Sequence, residues 1–359
     1  MASGFFWLVL ACLACTQAAF LSNTKLPVDT NGNELLTGEL DVLTHNGTFY
    51  FYFNDWGYCG GVDCCASSGG CASCCFNPPS KAYPDSCVYT NNHTIVGYKT
   101  VDWQQWVPLG PVLKTRLPGI EFRPHVVFNK ATNLFVMWYE DRHPGQEGYA
   151  VATSKSPEGP FVTVNNSVPL AGSGRVGDFD VFVDDDGSAY HVRTGFVVEK
   201  LNDNFTAGTG EIGSFSTPKP AEGPVFFKRD GVYYILAGTG CCACLGGSTI
   251  YVFTAPHPLG PFTFQGDVGS NPSPFDPHSP NNYVTRAQAS SVVRVPGGSD
   301  ADEFVWIGNQ WVTSKLPGRP RNNDLLYWSV LDFDAQGRIK QLEWRDNTTV
   351  SVQPQRFME

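Results

Sequence analysis

The sequence predicts an all-β protein, specifically a five-bladed β-propeller, and three observations carry that prediction. The chain holds 37 Gly, 26 Pro and 13% aromatic residues, a composition of strands and turns rather than helices. Five segments repeat one pattern, an apolar strand, a turn and an aromatic strand: residues 41–53, 125–139, 180–192, 224–236 and 291–307. A polar residue stands seven or eight positions before each turn: Glu39, Glu121, Asp178, Glu222 and Gln288. A β-sandwich is the structural alternative, but it would not place matching hairpins at matching intervals.

Each hairpin has its own local signal. Asn46-Gly47, Asp186-Gly187 and Asp230-Gly231 are dipeptides that suit two-residue turns, whose central residues need positive φ. The second and fifth hairpins turn near Asn129 and Pro296. A further repeat joins Lys155–Phe161 to Pro256–Phe262, each ending in Gly-Pro-Phe. In a propeller the innermost strands run parallel around a central channel, so the five polar residues should ring one mouth of it. An acid inside a β core is costly unless it is paired or functional, which marks this ring as the candidate site.

The N-terminus sets the compartment. Phe5 to Cys15 is an apolar run too short to span a bilayer, and Thr16-Gln17-Ala18 suits signal cleavage after Ala18. Residues 1–18 are therefore expected to be a signal peptide, and 19–359 one propeller domain. Sequons at Asn46, Asn92, Asn165, Asn204 and Asn347 fit a secreted, extracellular protein. Seven cysteines crowd residues 59–87, and three more are Cys241, Cys242 and Cys244. Outside the cell these read as disulfides, and two odd counts require at least one bridge between the loops.

A net charge of −10 argues against nucleic acid or an anionic membrane as partner and suits a neutral glycan. A monomer is expected, with a polysaccharide or oligosaccharide as its ligand. No cofactor and no metal is called for. Cys71-x-x-Cys74 lacks a second ligand pair, and Asp184-Asp185-Asp186 reads as a solvated hairpin tip.

Several segments resemble glycoside hydrolase family 43. Ala221-Glu222-Gly223-Pro224, before the Tyr233-Tyr234 hairpin, resembles the family's catalytic-acid segment. Asp178-Phe179-Asp180 through Asp186-Gly187 resembles the segment whose Asp tunes that acid. Arg123-Pro124-His125 through Asn129, with Phe135–Trp138 and Tyr149–Ser154, is most similar to the exo-β-1,3-galactanase branch. Membership implies a five-bladed propeller and inversion at the anomeric carbon. The chain departs from the family at two places. Glu39 stands where the usual base is an Asp, with Asp41 two residues further in, and the galactanase branch commonly lacks a conventional base. That branch also tends to carry Glu immediately before Arg-Pro, where this chain has Phe122.

An inverting glycosidase needs a protonated carboxyl to donate to the leaving oxygen and an ionised one to activate water, roughly 6.5–9.5 Å apart. The resemblance assigns the acid to Glu222 and its charged neighbour to Asp178, and strand register assigns the base to Glu39. Glu121, Arg123, Tyr139, Asp141 and Gln288 are the expected substrate contacts, with Glu140 beside them on the same outgoing strand. Two other readings stand beside this one: a propeller that keeps the same pocket but binds glycans without turnover, and a cysteine-rich interaction protein, which rests on the loop at residues 59–87.

Overall fold

The computed structural model realises the hairpin pattern as five blades around a channel. The structure describes residues 17–56, 93–114, 120–143, 146–173, 176–238, 249–271, 283–297, 301–310, 313 and 323–352. A short strand, β1 (Gln17–Ser22), precedes the first blade, which is built from β2 (Leu40–His45), β3 (Thr48–Asp55), β4 (Thr94–Thr100) and β5 (Val107–Pro111). Blade two comprises β6 (Ile120–Asn129), β7 (Leu134–His143), β8 (Gln146–Ser154) and β9 (Val162–Val168). Blade three comprises β10 (Phe179–Val183), β11 (Ala189–Arg193), β12 (Val197–Leu201) and β13 (Gly208–Ser214). Blade four comprises β14 (Glu222–Arg229), β15 (Val232–Gly238), β16 (Tyr251–Ala255) and β17 (Thr263–Asp267). Blade five has three strands, β18 (Gln288–Val295), β19 (Glu303–Gln310) and β20 (Leu325–Val330).

All pairings within the blades are antiparallel, and the innermost strands meet in cyclic order: β2 touches β6, β6 touches β10, β10 touches β14, β14 touches β18, and β18 returns to β2. The core follows the same geometry. Each of five apolar clusters fills one junction between neighbouring blades. Phe135, Met137 and Tyr139 pack on Tyr52 and Ile95 between blades one and two, for example. Trp138 lies in the next junction and donates its indole N–H to Phe205 O at 2.8 Å, as a buried Trp should.

The first and last described strands pair beside blade five. β1 pairs antiparallel with β21 (Asn347–Val352), from Gln17 opposite Val352 to Ser22 opposite Asn347. Asn23 then reaches blade five: its amide donates to Trp328 O at 3.1 Å, and its Oδ1 accepts from Trp328 N at 2.7 Å. Strand pairing thus begins two residues before the expected cleavage point after Ala18.

The turns differ in one respect from expectation. Asn46-Gly47 and Asp230-Gly231 have positive φ at both residues, whereas of the third dipeptide only Gly187 does. There β10 and β11 are joined by a longer loop, and its acidic run is not simply a solvated tip. Asp184 is buried and accepts hydrogen bonds from Lys228 Nζ at 2.6 Å and Tyr233 Oη at 2.5 Å, so it clasps blade three to blade four. Both cysteine clusters, and the bridge expected between them, lie outside the described residues. Among the described residues no helix is long and apolar enough to cross a membrane.

Candidate active site

The site forms where the innermost strands begin. Glu39 directly precedes β2, Asp178 directly precedes β10, Glu222 opens β14 and Gln288 opens β18. Four of the five blades therefore deliver the residue that the turn spacing predicts. Blade two does not.

The reason is a β-bulge. In β6, Phe122 pairs with Glu140 and the next regular pair is His125 with Trp138, so Arg123-Pro124 is extra. β14 is interrupted in the same way by Gly223-Pro224, between Glu222 opposite Gly238 and Val225 opposite Leu236. Proline suits such a place because it has no N–H for a ladder. Arg123 and Gly223 share the left-handed conformation, with φ of 55° and 62°. A side chain at positive φ is disfavoured, and part of that cost is offset as Arg123 N donates to Asn54 Oδ1 of blade one at 3.0 Å. The bulge aims the guanidinium into the ring, so blade two contributes Arg123 instead of Glu121.

Glu121 instead pairs with Asp141 across β6 and β7, and both are fully buried. Asp141 shares a strand face with Tyr139, whose hydroxyl lies 2.8 Å from Thr163 Oγ1 within the blade one–two core. The structure therefore does not bring Glu121, Tyr139 or Asp141 into the ring. Glu140, on the opposite face of β7, does lie within the ring's field. Its Oε2 accepts from Arg142 Nη2 at 2.8 Å, and Arg142 lies over the Phe122 ring. A carboxyl thus stands directly across the ladder from Phe122.

The ring residues form one connected chain. The Gln288 amide nitrogen is 3.2 Å from both Glu222 Oε1 and Asp178 Oδ2, close enough to donate one proton to each. Arg123 Nη1 is 3.2 Å from Asp178 Oδ1 and 3.7 Å from Glu39 Oε1, and its Nη2 donates to Ala289 O at 3.2 Å. Arg123 is 1% exposed and Glu39 4% exposed, so this ion cluster is screened from water. Two glycines make the packing possible. Gly223 has a positive φ of 62° and a Cβ there would lie 3.3 Å from Ala289 O, while a Cβ on Gly38 would collide with Asn54 O and Trp56 Nε1.

Electrostatics separate the acids. Burial lifts Glu222 first, Asp178 lifts it further, and Arg123 opposes; the result is a pKa of about 7. Burial likewise lifts Glu140 to about 8, against Arg142, with Asp178 and Glu39 adding to the rise. Two carboxyls of the site thus keep their protons in mildly acidic solution. Glu140 gave only a weak sequence signal, its place at the end of an outgoing strand. Asn54 gave none, since nothing local marks it as the partner of a distant bulge.

A cation could be held one layer deeper. Asp41, His125 and Asp180 have ligand atoms within 4.8 Å of one another. The second carboxylate oxygens of both acids are already used, accepting from Val126 N at 2.8 Å and Phe226 N at 2.6 Å. Burial would push His125 down, but Asp180 and Asp41 overcome it and raise it to about 9.

The comparisons agree with this architecture. A β-1,3-galactosidase structure with bound galactodeoxynojirimycin superimposes with a TM-score of 0.68 at 19% identity, covering 91% of this chain and 99% of that one. An exo-β-1,3-galactanase from Clostridium thermocellum gives 0.69 at 21% identity, over 93% of this chain and 67% of that one. In sequence, the chain is 26% identical over 311 residues to an arabinoxylan arabinofuranohydrolase of Bacillus subtilis, covering 75% of this chain and 58% of that protein. It is 27% identical over 191 residues to a β-D-galactofuranosidase of Aspergillus niger, covering 50% and 53%. The chain thus spans little more than half the length of these curated relatives. The sequence profile of the glycosyl hydrolases family 43 matches residues 88–302, more than half of the chain. By its sequence, and with a fold that agrees, the chain belongs to glycosyl hydrolases family 43.

Proposed function

We propose that this protein is a secreted, inverting glycosidase that removes sugars from the ends of β-1,3-galactan-like or related plant or algal polysaccharides. Glu222 is the general acid, Asp178 the charged neighbour that keeps it protonated, and Glu39 the base. The observation that carries the reading is the unbroken chain Glu222–Gln288–Asp178–Arg123–Glu39. It joins a carboxyl that holds its proton to one paired with a guanidinium, the division of labour that inversion needs. The galactan preference rests on the Arg123-Pro124 and Phe135–Trp138 segments and on the named activities of the similar structures. Secretion rests on the apolar N-terminus and on Asn46, Asn204 and Asn347, which are exposed. The protein acts as a monomer on its glycan.

A panel of aryl glycosides with β-1,3-galactan tests the proposal. The expected result is galactose released singly from chain ends, with its anomeric configuration inverted when followed by NMR. Release of internal fragments, or retention of configuration, would defeat it. The pH profile supplies a second check. An acid must hold its proton to donate it, so turnover should fall as pH rises through about 7, where Glu222 ionises. A rate still level at pH 9 would remove Glu222 from the role.

One observation favours a second reading, a propeller that binds glycans without cleaving them. Glu39, which takes the base position by register, is buried against Arg123. Glycan-array binding with no sugar released from any substrate would select that reading.

A further inference from the structure

The strands that bear the ring bear a second polar layer beneath it. Asp41 lies two residues beyond Glu39, His125 two beyond Arg123 and Asp180 two beyond Asp178, with Ser291 after Gln288 across a bulge. Residues two apart on a regular strand share a face about 7 Å apart, which stacks Asp41 and Asp180 beneath the first ring; in β6 the bulge resets the alternation, and His125 joins this layer through its contacts with both acids. Below it the channel widens into a cavity of about 840 Å³, on whose wall Asp41, Asp180 and Ser291 stand.

His125 is the hub of this layer. Its Nδ1 is 2.9 Å from Asp180 Oδ1 and 3.6 Å from Asp41 Oδ1, and its ring packs against Phe179 with centroids 4.7 Å apart. Asp180 also accepts from Phe226 N of β14, the strand of Glu222. Asp41 accepts from Val126 N of β6 and lies 3.4 Å from Ser291 Oγ of β18, the strand of Gln288. One buried imidazole and two carboxylates therefore tie together all five strands that present the site. His125 is 1% exposed, buried like Arg123 two residues before it.

We propose that His125 is a positioning residue for the reaction: held between Asp41 and Asp180, it fixes the strands that present Glu39 and Asp178, and so sets where the base and the acid's charged neighbour stand. The role rests on the catalytic assignment given above. Its physical basis is the steep dependence of rate on geometry, where a shift of about 1 Å costs on the order of 10²-fold. Binding is spread over more contacts and tolerates such a shift better.

The test compares wild type with His125→Gln, His125→Lys and Asp180→Asn on the substrate that the wild type cleaves. His125→Gln keeps a donor but cannot span both carboxylates as the ring does, and it should lower kcat at least tenfold while KM changes less than twofold. Asp180→Asn keeps an acceptor for Phe226 N and should do the same. His125→Lys offers donors to both Asp41 and Asp180 and should recover at least threefold of the loss. Circular dichroism and Tm identify a variant that has merely unfolded, and the other two then decide. An unchanged kcat in the folded variants would overturn the proposal, as would a loss confined to KM. A wild type inactivated by EDTA and restored by calcium would also overturn it, by giving the clamp to a bound ion. A wild type that cleaves nothing removes the catalytic reading, and the positioning role with it. Cleavage by wild type with indifferent variants removes the positioning role alone.

Discussion

Glu222→Gln should lower cleavage of natural glycosides by about 10²- to 10⁴-fold, the range that a positioned general acid contributes. The amide keeps the size of the side chain and can still face the Gln288 amide 3.2 Å away, so fold and sugar affinity should change little. It has no proton to give to a sugar leaving group. An aryl glycoside with a good leaving group needs less protonation and should lose far less. The ratio of the two losses is the diagnostic measurement. Equal losses would mean that the substitution damaged binding or fold, and the acid would have to be sought elsewhere. Glu140 would then be the next candidate, since it too holds its proton, to about pH 8.

Glu39→Ala should be as severe, several orders of magnitude in kcat, because among the described residues of blade one Glu39 is the carboxylate that Arg123 pairs at the ring. Its cavity admits a small anion, so azide should restore part of the rate with an activated substrate and yield an inverted glycosyl azide. Glu39→Asp should retain more activity than the alanine variant, since it keeps the charge but retracts it from Arg123, now 3.7 Å away. Asp41→Asn should do less harm than Glu39→Ala, because Asp41 lies a layer deeper and its amide can still accept from Val126 N. Azide without effect, or an alanine variant as fast as wild type, would leave Glu39 as a binding group.

Much of this arrangement was legible in the sequence because it follows from periodicity. Counting back from the turns located Glu39, Asp178, Glu222 and Gln288, and the structure joins all four through Gln288 and Arg123. The same count failed in blade two for a definable reason. A bulge adds a residue on one strand only and changes which side chains face the channel, so Glu121 turned to Asp141 and Arg123 entered. The signal was present: Arg123-Pro124 and Gly223-Pro224 occupy matching places, and proline inside an inner strand marks a break in the ladder. Tyr139 failed differently. Its strand does return to the acid-bearing face, but alternation sends its side chain into the core between blades. No spacing rule could have found Asn54, whose partner lies 69 residues further along the chain.

The pairing of β1 with β21 also bears on how the protein comes to exist. Gln17 lies opposite Val352, so this pairing beside blade five joins the first described residue to the last. Contacts between chain ends carry a high loop-closure cost and form late. During synthesis the blades can form one after another, each from its own hairpins, but the partner of β1 emerges after all five blades. Until then blade five keeps an open flank at Trp328, which Asn23 and Thr348 later occupy, and unpaired strand edges invite association with other chains. Gln288 belongs to that last blade, so the link between Glu222 and Asp178 is completed late as well. A nascent chain would carry the acid and its neighbour well before it could use them.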